Sequence, residues 1–289
     1  MTYLPDETEI MALLDGLPKT IPEIVETVQN TLIHIFWAER YGESLSEERT
    51  AQVNIRSAAD LLRKSYEYKP LKIVAKRKLS ERVVGNCRDF TVLSVAFMRN
   101  FGIPARARCG FGAYFSTPDM KIQFMDHWVV EYWNQERSRW VMVDSQIDKL
   151  QADTLKIDFS PLDVPHERFI TGGAAWRMCR EDKADPETFG IHEMSGLGFI
   201  MGDMLRDLAA LNKIPLLPWD CWGLMLGDWG KELKLLDAVA DGTQPGTEQY
   251  NELLSLYQHP KLKVPDTITS WMGGTEPTLI KLSDVTEKI

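Results

Sequence analysis

The sequence predicts an α+β fold: a helical N-terminal layer, a cysteine-bearing helix packed on an antiparallel sheet, and a mainly helical C-terminal elaboration. Three observations predict it. Apolar residues recur at helical spacing through the first third, strand-like segments follow one another in the middle, and strongly apolar helix faces return after Gly196. At 289 residues, against roughly 150 per domain, the chain has room for one large unit or two modest ones. No repeat, low-complexity tract or sharp linker divides it. The simplest division is residues 1–150, the helical layer plus core, and residues 151–289, an elaboration packed on that core and not independent of it.

Each element has a local reason. Thr20 is a candidate N-cap with Pro22 just inside the helix, and Ile24, Val28, Thr31, Leu32 and Ile35 continue the helical spacing, with Gly42 ending the segment. Ile55, Ala58, Ala59, Leu62 and Tyr66 mark a second amphipathic helix that Pro70 closes. A basic stretch from Lys69 to Arg82 follows, then a helix from Asn86 to Asn100 that Gly102-Ile103-Pro104 stops. Ala105 to Phe115, His127 to Trp133 and Trp140 to Val143 read as strands, with Asn134 to Ser138 as a hairpin loop. Phe159 to Thr171 looks irregular. Leu197 to Leu211, Trp219 to Ala240 and Glu248 to Tyr257 read as helices.

Composition excludes several classes. The apolar share of 44% and charged share of 26% are those of a globular protein, not of a disordered, fibrous or channel chain. A net charge of −9 argues against a general nucleic-acid or anionic-membrane binder. No run approaches the roughly 20 apolar residues that span a bilayer; Leu197 to Leu211 is interrupted by Asp203, Arg206 and Asp207. The N-terminus lacks a basic region and an apolar run, so a cytoplasmic chain is expected. Cys87, Cys109, Cys179 and Cys221 are far apart and form no CxxC pair, so no metal or other cofactor is expected and four free thiols are the default.

One constellation carries chemistry. Gly85-Asn86-Cys87-Arg88-Asp89-Phe90 opens an apolar helix. With Asn86 as N-cap, Cys87 is N1 and Asp89 is N3, a variant capping box. A thiol at a helix start feels the positive end of the dipole, which favours the thiolate; Asp89 opposes that, so the dipole and a protonated His127 must outweigh it. His127 opens a strand-like segment, and Asp144 ends the next one. A short loop between adjacent antiparallel strands brings such residues side by side, where the acid fixes the tautomer and orientation of the ring.

This arrangement resembles the transglutaminase-like superfamily, a branch of the papain-like cysteine enzymes. The matching residues are Gly85 and Cys87 at the helix start, Gly102 to Arg106, His127 to Val129, and Trp140 to Asp144, and the likeness spans Ala51 to Asp148. The resemblance implies a Cys-bearing helix on an antiparallel sheet, with Cys87 as nucleophile, His127 as base and Asp144 as orienting acid. Asn86, the Cys87 backbone N–H and Trp128 are expected to support the oxyanion. The implied chemistry is hydrolysis of an amide or ester, or acyl transfer to an amine, through a thioester. The substrate would be a peptide, an amide or a small acyl compound. Where the family often continues Asp-Pro-Thr, Ser145-Gln146 follows Asp144. No Asp-x-Asp-x-Asp-Gly loop occurs, which sets a calcium-dependent crosslinking enzyme aside. The rival reading is a non-catalytic binding or scaffold protein that keeps the fold.

The remaining candidates have plainer accounts. Cys109 is expected to be a packed small residue. His192 is expected at the surface or as a cap. Lys72, Lys76, Arg77, Lys78 and Arg82 are expected to form a solvated face, with steering of an acidic substrate or carrier protein as the functional alternative. Trp219, Trp222 and Trp229 are expected in a core, an interface or an apolar binding wall.

Overall fold

A computed structural model describes residues 1–245, 250–271 and 276–285. Within these the chain is a mixture of helix and sheet. The N-terminal layer opens with the short helix α1 (Thr8–Leu13), then α2 (Ile21–Thr31), which has Thr20 at its N-cap and Pro22 in its first turn. Helical spacing through Ile35 is overturned here. The helix stops at Thr31, and Leu32–His34 forms strand β1. After α3 (Glu47–Thr50) and α4 (Ala58–Tyr68), strand β2 (Val83–Gly85) pairs with β1 in parallel, His34 opposite Gly85. A long-range partner for Leu32, Ile33 and His34 outweighs the local helical periodicity. In α4 the Ser57 hydroxyl accepts from the Asp60 N–H at 3.0 Å, and Ala58, Ala59, Leu61 and Leu62 are buried. Ile55 precedes this helix and Tyr66 is exposed, so neither belongs to its buried face.

The basic stretch is a solvated face only in part: Lys72, Lys76 and Lys78 are exposed, whereas the arginines turn inward. Arg77 is 2% exposed, and its guanidinium donates to the carbonyls of Ile73 and Ala75 at 2.9 and 3.0 Å. Arg82 donates to the Gln29 carbonyl at 2.8 Å, Lys69 pairs with Glu81 at 2.8 Å, and Lys72 pairs with Asp15. These cations hold the loop that leads into β2.

Helix α5 (Cys87–Asn100) lies against strands β3 (Ala105–Gly112) and β4 (Phe124–Asn134). Residues Phe90, Val92, Leu93, Val95, Ala96, Phe97 and Met98 of α5 share one core with Ile24 and Val28 of α2, Leu61 and Leu62 of α4, and Trp128 and Val130 of β4. Strand β5 (Arg139–Val143) closes the expected hairpin, Trp133 opposite Trp140. Helix α6 (Lys149–Leu155) follows, capped by Asp148.

Phe159 to Thr171, expected to be irregular, ends in strand β6 (Phe169–Thr171), which pairs with β3. Helix α7 (Gly172–Arg180) and strands β7 (Phe189–Ile191) and β8 (Met194–Ser195) lead to α8 (Leu197–Leu211). The main sheet runs β6-β3-β4-β7-β8, so it draws strands from both sides of residue 150. It is antiparallel except where β7 meets β4 in parallel. Along one edge β4 pairs with β3 from Met125 to Tyr132. Along the other, β7 takes Phe124 and Met125, and β5 takes Val130 to Asn134. His127 stands in the interval between these two pairings.

Helix α8 does more than offer one apolar face. Ile200 to Leu211 are all buried, among them Asp203, Arg206 and Asp207, because the helix is enclosed by β3, α7 and α9 (Leu233–Gly242). Buried charges need partners. Asp207 takes two bonds from Arg108, at 3.0 and 2.8 Å, and one from the Cys109 N–H at 2.9 Å; Asp203 takes Arg206 at 3.0 Å.

A continuous helix from Trp219 to Ala240 is also overturned. Asp220–Cys221 forms strand β9 and helix α9 begins only at Leu233. Asp220 is fully buried and tied to Arg56, to the Ser270 hydroxyl at 2.7 Å and to the Leu217 N–H at 2.9 Å, which holds this segment extended. Trp222 is buried, whereas Trp219 and Trp229 pack at core margins. Glu248 and Gln249 of the expected helix lie outside the described residues; α10 (Tyr250–Tyr257) is seen. Strand β10 (Thr267–Ser270) joins β9 to β11 (Thr278–Lys281), and α11 (Leu282–Val285) follows. No helix among the described residues is long and apolar enough to cross a membrane.

Candidate active site

The expected capping box is formed. Asn86 is the N-cap of α5, its side-chain oxygen accepting from the Arg88 N–H at 2.9 Å. Its own N–H donates to an Asp89 oxygen at 2.9 Å. A Cβ at Gly85 would lie 3.1 Å from the Asp89 carboxylate, tighter than ordinary contact, so glycine makes room for that carboxylate to fold back. Arg88 is buried and bridges Asp89, at 3.0 Å, to the backbone carbonyls of Arg56 and Pro215. Burial pushes the Asp89 carboxyl up to about 6 against the pull of Arg88 and the Asn86 N–H.

Cys87 therefore occupies N1 of a rigidly started helix. It is 8% exposed. The Trp128 backbone N–H hydrogen-bonds to the sulfur, which brings β4 onto the helix start one residue beyond His127. Burial pushes the thiol well above its ordinary value, and the nearby carboxylates of Asp126, Asp144 and Asp89 add to this. The Trp128 N–H pulls the other way and is outweighed, so these surroundings favour the thiol over the thiolate, a balance that the sequence left open.

His127 and Asp144 meet directly. His127 Nε2 lies 2.8 Å from Asp144 Oδ2, across the β4–β5 hairpin. The same oxygen accepts from the Tyr114 hydroxyl at 2.6 Å, and Asp144 Oδ1 accepts from the Gln146 N–H at 3.0 Å. Burial raises the Asp144 carboxyl, but His127, Tyr114 and Gln146 together hold it below its usual range. The His127 ring is fixed edge-on against Phe115, 4.7 Å between centroids, and Tyr114, 5.9 Å. With Nε2 committed to Asp144, Nδ1 is the ring nitrogen left for chemistry. The Trp128 indole is buried in the core beside α5, and its Nε1 lacks a partner; the Asn86 amide nitrogen is likewise buried without one.

Three residues at the site escaped sequence reasoning. Tyr114 follows β3 in a turn and carries no motif. Gln146 stands where the family pattern differs, and its backbone N–H still steadies the acid. His34 lay in a segment read as helix; the β-branched Ile33 and Ile35 around it were the available signal. It is buried beside Phe90 of α5 and feels the charges of His127 and Asp144. By contrast, His192 is exposed, its ring edge-on to Phe36.

One group among the described residues has the chemistry to hold a metal ion: Cys109, Asp126 and Asp203, whose donor atoms lie within 4.8 Å of one another. Arg206 already sits on one Asp203 oxygen at 3.0 Å. Burial pushes Asp126 up to about 6 and Asp203 well above its ordinary value, which favours a proton on Asp203 that an ion would have to displace.

Residues 39–145 match the family model of the transglutaminase-like superfamily. Cys87, His127 and Asp144 all fall inside the matched span. No curated protein and no solved structure matches the chain.

Proposed function

We propose that this protein is a transglutaminase-like cysteine enzyme with a papain-like core, acting on an amide or ester through a thioester. The observation that carries the reading is the His127–Asp144 hydrogen bond at 2.8 Å, made beside the Cys87 helix start inside the family-matched segment. Cys87 is the nucleophile, His127 the general base and acid, and Asp144 the group that orients and charges the ring favourably.

The buried, protonated thiol sets the order of events. His127 Nδ1 accepts the thiol proton as the sulfur attacks the carbonyl carbon, so attack and proton transfer are linked instead of starting from a standing ion pair. The Asp144 carboxylate stabilises the imidazolium that forms. The carbonyl oxygen becomes an oxyanion, and the N1 N–H of Cys87, which has no acceptor within its helix, faces the growing charge. Collapse breaks the bond to the leaving amine or alcohol, which takes the proton from His127. Water or an amine then attacks the thioester and restores the thiol. Water makes the enzyme a hydrolase, an amine an acyltransferase.

The scaffold reading has one observation in its favour: the Cys87 thiol is buried, and burial pushes it well above its ordinary value. Labelling separates the two. An activated Cys87 reacts with iodoacetamide near neutral pH faster than Cys179 or Cys221, and loses that advantage in His127→Ala. A Cys87 that labels no faster than these, with or without His127, is a structural thiol, and the enzyme reading fails.

A further inference from the structure

His34 is a buried titratable group at the site to which the proposed chemistry assigns no role. The parallel pairing of β1 with β2 sets it opposite Gly85, two residues before Cys87. Its ring lies 6.2 Å from that of Phe90, on the first turn of α5, and 5.6 Å from that of Phe36. The Phe36 N–H donates to His34 Nδ1 at 3.2 Å. That bond consumes the Nδ1 lone pair, so in the neutral ring the proton sits on Nε2.

We infer that His34 donates its Nε2–H to the carbonyl oxygen of the substrate and is, with the Cys87 N–H, the second oxyanion donor. This rests on the function proposed above. The alternatives are closed by chemistry. A general base needs a free lone pair, and Phe36 occupies it. A general acid needs the charged ring, and burial, with the nearby His127, lowers His34 to about 3 against the pull of Asp144. What is left near neutral pH is a neutral, oriented N–H donor at the helix start. A neutral imidazole suits this task, because it stabilises developing negative charge without placing a second cation beside the His127 imidazolium.

The test compares two reactions of the same sulfur in the full chain. With 4-nitrophenyl acetate, Cys87 attacks the acetyl carbon, the C–O bond breaks, 4-nitrophenolate leaves and an acetyl thioester remains; an oxyanion forms on the way. With iodoacetamide the sulfur displaces iodide at a methylene carbon and no oxyanion forms. In His34→Phe and His34→Met the acetylation rate of Cys87 should fall about 100-fold, the usual size for one oxyanion donor, while alkylation stays within about threefold. His34→Gln, which keeps an N–H donor, should recover most of the acetylation. Dividing each acetylation rate by the alkylation rate of the same sample removes any difference in folded fraction, and the Met variant serves if the Phe variant does not fold. Equal acetylation in the wild type and the donor-free variants overturns the inference, as does a parallel loss of both reactions. A wild-type chain that is never acetylated on Cys87 overturns the proposed function itself, and the inference with it.

Discussion

Cys87 and Cys109 are both buried, and burial lifts both thiols well above their ordinary values. Cys87 stands at the first position of a helix, under the Trp128 N–H and beside the β4–β5 hairpin that brings His127 and Asp144 together. Cys109 stands in the middle of β3, facing Asp126 and Asp203, with Arg206 close to the pair. The difference teaches that resting acidity does not tell the proposed nucleophile from a packed thiol. What separates the two sulfurs is the helix start with its backbone N–H groups, the nearby His127–Asp144 pair, and a remnant of exposure. Around Cys109, Arg206 holds Asp203 within α8, and Asp126 Oδ1 is buried without a hydrogen-bond partner.

The comparison can be broken most directly at its centre. Cys87→Ala should abolish turnover of any ester or amide that proves to be a substrate, and His127→Ala should be nearly as severe. The double variant should be no worse than Cys87→Ala alone, since the groups act as one unit. Full activity in Cys87→Ala would assign the chemistry to another group.

Asp144→Ala should come next, with a loss of about 10⁴-fold in kcat or less, because the acid orients and stabilises the ring without touching the bond being broken. A loss as complete as that of Cys87→Ala would give Asp144 a direct part.

Arg108→Met probes the structural side. Arg108 is fully buried and bonds Asp207, Glu131 at 2.8 Å and the Thr243 carbonyl, so its removal takes a guanidinium from two buried carboxylates, leaving Asp207 the Cys109 N–H and Glu131 its pair with Arg106. We expect a loss of about 3–5 kcal/mol in urea unfolding. By the same logic, residues 151–289 expressed alone should aggregate or stay unfolded, since α8 loses β3 and Arg108; a cooperative thermal transition in that fragment would contradict this.

Tyr114→Phe sharpens the acid's role. It removes one of the bonds that hold Asp144 below its ordinary value of 3.8. Because that carboxyl is depressed in the folded state, the stability linked to it is present above 3.8 and is lost as pH falls below that value. The variant should lose less stability on acidification, and the acid limb of its pH–rate profile should move to higher pH. An unmoved limb would show that Asp144 does not control the ring. The smallest effect should be Cys109→Ala, with activity within about threefold of wild type; complete loss with the fold intact would mean that the nucleophile had been assigned to the wrong sulfur.

Local chemistry was written plainly in the residue order. The Asn86–Asp89 capping box starts α5 with contacts between residues three apart, and the polar Asn134 to Ser138 turn closes the hairpin that carries His127 toward Asp144. Such contacts involve neighbours in the chain, so their patterns survive in a single sequence. The pairing of β1 with β2, which turned an apparent helix into the strand bearing His34, depends on a partner far along the chain. So do the tie between Asp220 and Arg56, the burial of charged residues all round α8, and the Tyr114 hydroxyl on Asp144. In each case a distant group supplies the hydrogen bond or ion pair that makes burial tolerable, and no local periodicity encodes which distant group that will be.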